Sequence, residues 1–500
     1  MHVIVLFACT LGLSTADLAS IGAIAGQLKL SLHVDNTELG VLAAAPSLVG
    51  AIFTLPLGVL ADRLPRTPVL SWTIGVWAAA MIVCGASGSF TMLLIVRMFL
   101  GAATAAAGPL IASLVGDLFA PDERGRVYGY IVAGELLGSA FGLLIAGNLA
   151  ALSWRASLWS LALPSIALAI AIARTLPEPA RGGASRLRRG AEEVIDARCA
   201  QVTRSGSSGD GKDGKDGDGA EQASGAEALE SPDREAIARL LRRRGVDPRA
   251  QLVLRDDPAK MSLRSAVRYV LRIRTNDLLI VSSALGYFFQ AGVNTFGVVF
   301  LAAQFRLTQT AAASLLGLIA LGALLGTLIG GRLSDALLAR GRVYARMLVG
   351  GGSFAISTLV FVPGLLSHSL VASIALYFVA AAALAAPNGA LDAARLDIVP
   401  GRLRGRAEAV RTALRTLAVA SSPLAFGYVS DQLATGARTY TKGIAYSVSA
   451  TGLKYTFLLM LAPMALSGAI LIFGRRSYGR DVATAIASDE AAARRRDRRV

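Results

Sequence analysis

The chain has 500 residues, 54% of them hydrophobic and only 17% charged, a balance too apolar for a soluble protein of this size, so the excess must face lipid. Its 50 Lys and Arg against 34 Asp and Glu give a formal charge of +16, which in a soluble chain would point to nucleic acid. Here the basic residues stand between apolar runs, where they orient helices in a membrane, and the three cysteines (Cys9, Cys84 and Cys199) indicate neither a disulfide framework nor a zinc site.

Apolar runs long enough to cross a hydrocarbon core fall near 2–28, 37–60, 68–87, 91–118, 125–150 and 154–175, and again near 275–303, 310–335, 344–365, 369–396, 406–430 and 452–473. The first begins almost at residue 1 without the basic start and small-residue cleavage site of a signal peptide, and it reads as the first span. Six spans, a gap and six more predict an all-α membrane protein of twelve transmembrane helices. The expected divisions are a six-helix bundle over 1–176, a linker over 177–274, a second bundle over 275–476 and a basic tail over 477–500. The three histidines, His2, His33 and His368, lie near span ends and read as solvated loop residues.

Short loops on one face hold Arg63, Arg66, Arg124, Arg126, Arg332, Arg340, Arg342, Arg346, Arg402, Arg404 and Arg406. The opposite face holds only Lys29, Arg155, Arg306, Arg438, Lys442 and Lys454. Positive charge stays inside, so both termini and the linker are expected on the cytoplasmic side of a plasma (inner) membrane. The excess of Arg over Lys suggests a GC-rich bacterial genome. Within the linker, SGSSGDGKDGKDGDGAEQASG at 205–225 has the composition of a disordered segment. SPDREAIARLLRRRG at 231–245 starts like a helix and sets Arg opposite Ile237, Leu240 and Leu241, as a solvated linker helix or one lying on an anionic leaflet.

The two halves repeat each other. GVLADRLPR carries Gly58 and Asp62, followed by Arg63 and Arg66; GRLSDALLAR carries Gly331 and Asp335, each offset by 273 residues. Asp117, Arg124 and Arg126 recur as Asp397, Arg404 and Arg406, each offset by 280. A Gly lets two helices approach closely, and an Asp at a helix end accepts from a neighbouring N-terminus or pairs with Arg. These twelve residues are therefore expected to form a cytoplasmic gate; the plainer alternative is a pair of structural turns obeying positive-inside statistics.

GVLADRLPR resembles the loop motif of the major facilitator superfamily, and RMFLGAATAAAGPL at 97–110 resembles its fourth-helix Arg-and-Gly motif. The likeness covers the chain outside 177–274 and departs at Pro65, where the family usually has Gly. It implies two pseudo-symmetric six-helix bundles around a central cavity. GPLIASLVGDLFAPDERGRVYG at 108–129 and APNGALDAARLDIVPGRLRGRAEAV at 386–410 are similar to the Spinster group. That finer likeness implies a secondary transporter of lysophospholipids or related amphipathic lipids, coupled to protons, while a drug or organic-anion/proton antiporter shares much of the pattern.

An ionisable side chain inside a bilayer costs several kcal/mol unless it is paired or faces water, so each is a candidate functional group. Asp17 lies about 22 Å into the first span from the cytoplasm and Arg97 about 9 Å into the fourth from outside, depths that coincide and predict a pair. Glu135 sits near mid-membrane among Gly134, Gly138 and Gly142 with no Lys or Arg within one turn, which suits a group that takes up and releases a proton. Adding the offset of 280 leads to Arg415, expected either to bind an anionic headgroup or to pair with Glu135. Arg411 can be met by Glu408 and reads as structural. Asp17 and Glu135 are thus the proton-coupling candidates, and Arg97, Arg415, Gln290 and Asn294 the substrate-binding ones. Phe288, Phe289 and Phe296 on the seventh span are candidate cavity residues, although aromatic residues there more often pack than touch ligand.

No phosphate-cradling Gly-x-x-x-x-Gly-Lys-Ser/Thr run of an ATP-driven pump is present, and no His-Glu-x-x-His cluster of a membrane enzyme. No cofactor, metal or nucleic-acid partner is expected, and the chain is expected to act as a monomer on a lipid-like substrate, protons and the surrounding bilayer. A transporter-fold sensor remains the rival of a different class.

Overall fold

The computed structural model of the chain describes residues 2–61, 64–119, 124–150, 152–179, 239–254, 261, 263–400, 403–434 and 445–497. Helices account for nearly all of this. In the first half they are α1 (His2–Leu32), α2 (Asn36–Ala61), α3 (Arg66–Ala86), α4 (Phe90–Thr104), α5 (Ala107–Leu118), α6 (Arg124–Ala150) and α7 (Trp154–Thr175). A short α8 (Leu263–Val270) precedes the second half, made of α9 (Arg274–Phe305), α10 (Gln309–Ala339), α11 (Ala345–Leu366), α12 (Leu370–Ala385), α13 (Pro387–Ile398), α14 (Arg404–Leu433) and α15 (Ala445–Asp497).

Local sequence sets where several of these begin. Ser89, Ser153, Thr308 and Ser369 stand just before α4, α7, α10 and α12, and each accepts a backbone N–H of the first turn that no helical carbonyl can satisfy. The fourth span is α4 and α5 in series, interrupted at Ala105 and Ala106, and the tenth is α12 and α13, interrupted at Ala386 before Pro387. Proline lacks an N–H and fits at the first helical position, which explains the second break.

Eleven helical stretches are long and apolar enough to cross a membrane. The remaining span, α14, carries Arg404, Arg406, Glu408, Arg411 and Arg415 in its first half, which removes the uniform hydropathy of its neighbours. It is nonetheless packed between α2, α9 and α15 inside the bundle. A charged helix is tolerated at membrane depth when its charges turn inward.

Packing repeats across the halves. In the first, α1 meets α6 and α7, α2 meets α4, and α3 meets α7; in the second, α9 meets α14 and α15, α10 meets α12, and α11 meets α15. Each partner lies six spans further on, so the fold is two related six-helix bundles. Glycine makes the tightest seams: a Cβ on Gly138 would stand 2.0 Å from the Gly12 carbonyl oxygen, and one on Gly326 would stand 1.9 Å from that of Ala382. The halves touch through α1 with α9, α2 with α14, and α6 with α10.

Where the sequence places the end of the last span near 473, α15 runs on unbroken to Asp497. Its extension is covered. Leu241 is only 3% exposed, Arg242 pairs with Glu490 at 2.6 Å, and Arg249 pairs with Asp481 at 3.3 Å. The backbone N–H groups of Arg249 and Leu254 donate to Thr484 and Ser488. Residues 239–245 therefore turn their apolar side onto the protein, not to solvent or lipid, because the extension of α15 offers a partly apolar face there. The segments at 205–225 and 231–238 lie outside the described residues.

Candidate functional site

The charged groups at membrane depth come from five spans. On α1 and α4, Arg97 donates through Nη1 to Asp17 Oδ1 at 2.7 Å; Arg97 is fully buried and Asp17 almost so. One strong contact neutralises both charges. It leaves Arg97 Nε and Nη2 without a hydrogen-bond partner, two donors held in a dry site.

Glu135 is half-buried on α6, held against α1 where Thr15 donates to its backbone carbonyl at 2.8 Å. Glycines on both helices permit that approach, since a Cβ on Gly134 or Gly142 would meet Ala8 or Ala16 at 2.8 Å or less. Across the interior, the charge of Arg415 on α14 acts on Glu135, although among the described residues the two form no ion pair. Arg415 instead stands over the Tyr287 ring of α9 at 4.9 Å, a cation–π contact.

The second half holds further charge that sequence reasoning did not single out. Arg395 on α13 pairs with Asp392 and donates to Ser283 Oγ at 3.0 Å. Arg411 on α14 is buried and feels Arg395, Arg415, Asp392 and Tyr287. Tyr287 donates to Asn388 Oδ1 at 3.3 Å, which fixes the ring under Arg415. A signal was available, because Asn388, Asp392 and Arg395 recur at helical spacing on one face of the tenth span. The expected partner of Arg411, Glu408, has its side chain outside the described residues.

Gln290 is half-buried on α9 and Asn294 is exposed one turn on, its carbonyl against Gly22 of α1, where a Cβ would stand 2.2 Å away. Phe289, Phe296 and Phe426 pack with Phe457 and Phe361 into an aromatic core, so these rings build the second half rather than line a surface.

The motif residues at the basic end behave differently from a gate between halves. Arg66 donates to Glu178 at 3.2 Å, to Ser113 at 3.0 Å and to the Pro179 carbonyl at 2.8 Å, all within the first half. Arg346 is 280 residues further on. It bonds the Ala393 carbonyl at 3.2 Å, where Ala393 is the 280-residue counterpart of Ser113, and it pairs with Asp397, which Tyr478 also meets. The repeat thus marks a strut that anchors the third span to the fourth in each half. Asp335 is exposed, and Gly331 lies where a Cβ on Gly389 would meet its Cα at 3.6 Å. Gly58, Asp117, Arg124, Arg126, Arg404 and Arg406 sit on helices with their side chains outside the described residues, and Asp62 and Arg63 lie outside entirely.

Outside the spans, Glu178 caps α3, accepting the Thr67 N–H at 2.6 Å. Burial pushes its carboxyl up, but donation from the Thr67 and Arg66 backbone and side chains outweighs that and holds it below its ordinary value.

Among the described residues, every hydrogen bond between the halves lies at the end opposite the basic loops. Asp431 on α14 accepts the Thr37 N–H at 2.7 Å, the Thr37 hydroxyl at 2.6 Å and the Asn36 N–H at 3.4 Å, capping α2 of the other half. Asn36 donates to Ser430 at 3.0 Å, Gln309 to the Ala23 carbonyl at 2.7 Å and Thr310 to the Gly147 carbonyl at 3.4 Å.

Two related helical bundles with internal charges, latched at one end, define a membrane transporter. The family description "Major Facilitator Superfamily" matches residues 6–423, and the chain belongs to that superfamily. Its fold is like that of a bacterial homologue of the human lysosomal transporter Spinster in an inward-facing, occupied conformation, with a TM-score of 0.73 at 18% identity over 96% of this chain and 97% of that one. Sequence relatives are more distant in scope. A multidrug transporter, QDR2, of Candida glabrata is 27% identical over 155 residues, and a probable chloroplastic anion transporter of Arabidopsis thaliana is 33% identical over 148. The matched stretches cover 31% and 29% of this chain but only 27% and 29% of those relatives.

Proposed function

We propose that this transporter works by alternating access, coupled to protons, and moves a lysophospholipid or similar anionic amphipath across a bacterial inner membrane, acting as a monomer with its basic loops and both termini in the cytoplasm. The observation that carries the reading is the placement of Glu135 and Arg415. They are opposite charges at matching positions in the two halves, close enough to interact yet unpaired, in the state latched at the far end. A carboxylate that gains and loses its proton changes the charge facing Arg415, and that change can be tied to rocking of one half against the other. Asp17 and Arg97 supply a second proton-linked pair in the first half, and Gln290 and Asn294 are polar contacts on α9. The duplicated residues at the basic end close the cytoplasmic side in the opposite state.

The test is flux in proteoliposomes. With a proton gradient, Glu135→Gln abolishes uphill uptake while preserving exchange of labelled substrate down its gradient; uphill uptake at the wild-type rate removes Glu135 from coupling. A drug or organic-anion/proton antiporter is the second reading, favoured by the surplus of arginine in the second half. Substrate counterflow separates either carrier from a transporter-fold sensor, which shows none.

A further inference from the structure

We propose that Arg395, Arg411 and Arg415, with Tyr287 and Ser283, form a binding site for a doubly charged oxyanion of the phosphate monoester class on the wall of the second half. The inference rests on the transporter reading and names the headgroup chemistry that this reading leaves open.

Charge comes first. Three guanidiniums from two helices act on one another, and the described carboxylate among them, Asp392, is held by Arg395. That leaves a surplus of about two positive charges at membrane depth, where an uncompensated charge is costly. The first half offers no such surplus, because Arg97 is neutralised by Asp17 and Glu135 adds a negative charge.

Donor geometry narrows the ligand. Arg395 has a side chain only 9% exposed, with Nη1 on Asp392 and Nη2 on Ser283, yet its buried Nε has no hydrogen-bond partner. Arg415 rests on the Tyr287 ring and makes no hydrogen bond among the described residues, so its N–H donors remain free to take an acceptor. Planar guanidiniums bind tetrahedral or planar oxyanions through paired N–H donors, and a dianion cancels the surplus where a monoanion leaves half of it. Tyr287, fixed by Asn388, positions Arg415 rather than contacting the anion itself.

A phosphate monoester can come from a lysophosphatidic acid or from free phosphate, and equilibrium binding to the purified full-length protein separates them. Oleoyl lysophosphatidic acid is expected to bind at least about tenfold tighter than lysophosphatidylcholine, whose headgroup carries no net charge, and tighter still than neutral monoolein. Arg395→Gln and Arg415→Gln each weaken lysophosphatidic acid by about tenfold, and Arg415→Lys recovers part of the loss because charge survives without the fork. Inorganic phosphate that competes equally well supports the site and assigns it to a free anion. Equal affinity for lysophosphatidic acid and monoolein, or unchanged binding in a correctly folded Arg415→Gln protein, overturns the proposal. Binding as expected without flux in liposomes would instead remove the carrier reading and keep the site.

Discussion

At the scale of single residues, the structure separates charges that hold the fold from charges that can change partner. Asp17 and Arg97 belong to the first kind in this state, since both are buried and joined by one short contact. Asp17→Asn leaves a buried guanidinium without its counter-charge, and removing one member of a buried pair costs about 3–5 kcal/mol. The expected result is a clear fall in thermal unfolding temperature that the double variant Asp17→Asn, Arg97→Gln partly recovers, read by intrinsic fluorescence in detergent. Glu178 makes a prediction in pH. Its folded carboxyl sits below its ordinary value, so its contribution to stability is present above that ordinary value and is lost as pH falls through the folded one. Glu178→Gln should therefore flatten the acid limb of stability against pH; an unchanged limb refutes the capping role. The Asp17–Arg97 pair was legible in the sequence because helical rise converts residue number into depth. Arg395 was not, because its partner Asp392 lies on the same helix and both read as the end of a loop motif.

At the scale of elements, small residues decide which helices touch. The α1–α6 seam runs through Gly12, Gly134, Gly138 and Gly142, each facing backbone of the other helix or a small neighbour. In lipid there is little hydrophobic gain from pairing helices, so close van der Waals contact carries the seam. Gly138→Val forces the backbones apart by more than a side chain can yield, and it should lower expression of folded protein and its melting temperature sharply. The same change at Gly75, where a Cβ meets nothing within 4 Å, should be tolerated. Size-exclusion profiles of the two variants make the comparison, and equal behaviour would show that the seam does not depend on close approach. Span positions were legible from hydropathy because each crossing needs a long apolar run. The continuation of α15 was not, since beyond 473 the helix leaves the lipid and its partners, Leu241 and Arg249, come from a charged linker that hydropathy cannot pair with it.

At the scale of the whole molecule, the question is which contacts choose the state. The duplicated Arg66 and Arg346 are struts within each half, so they hold each bundle rigid and leave the choice to contacts that cross between them. Asp431 is the principal crossing contact, a carboxylate placed on the N-terminus of α2, where three donors and the helix dipole converge. No repeat pointed to it, because a latch that works in one state has no counterpart at the other end of the molecule. Losing charge-assisted hydrogen bonds of this kind costs about 1–3 kcal/mol, and each 1.4 kcal/mol moves a two-state equilibrium about tenfold. Asp431→Ala should therefore populate a state opened at the far end while each half stays folded. Spin labels on the exposed loop residues Leu152 and His368, one in each half, should report a new longer-distance population in that variant. Thr37→Val, which removes the hydroxyl donor and keeps the backbone one, should give a smaller share of it. A distance distribution unchanged by Asp431→Ala would mean that the aliphatic and glycine contacts of α1 with α9 and α2 with α14 hold this end closed by themselves.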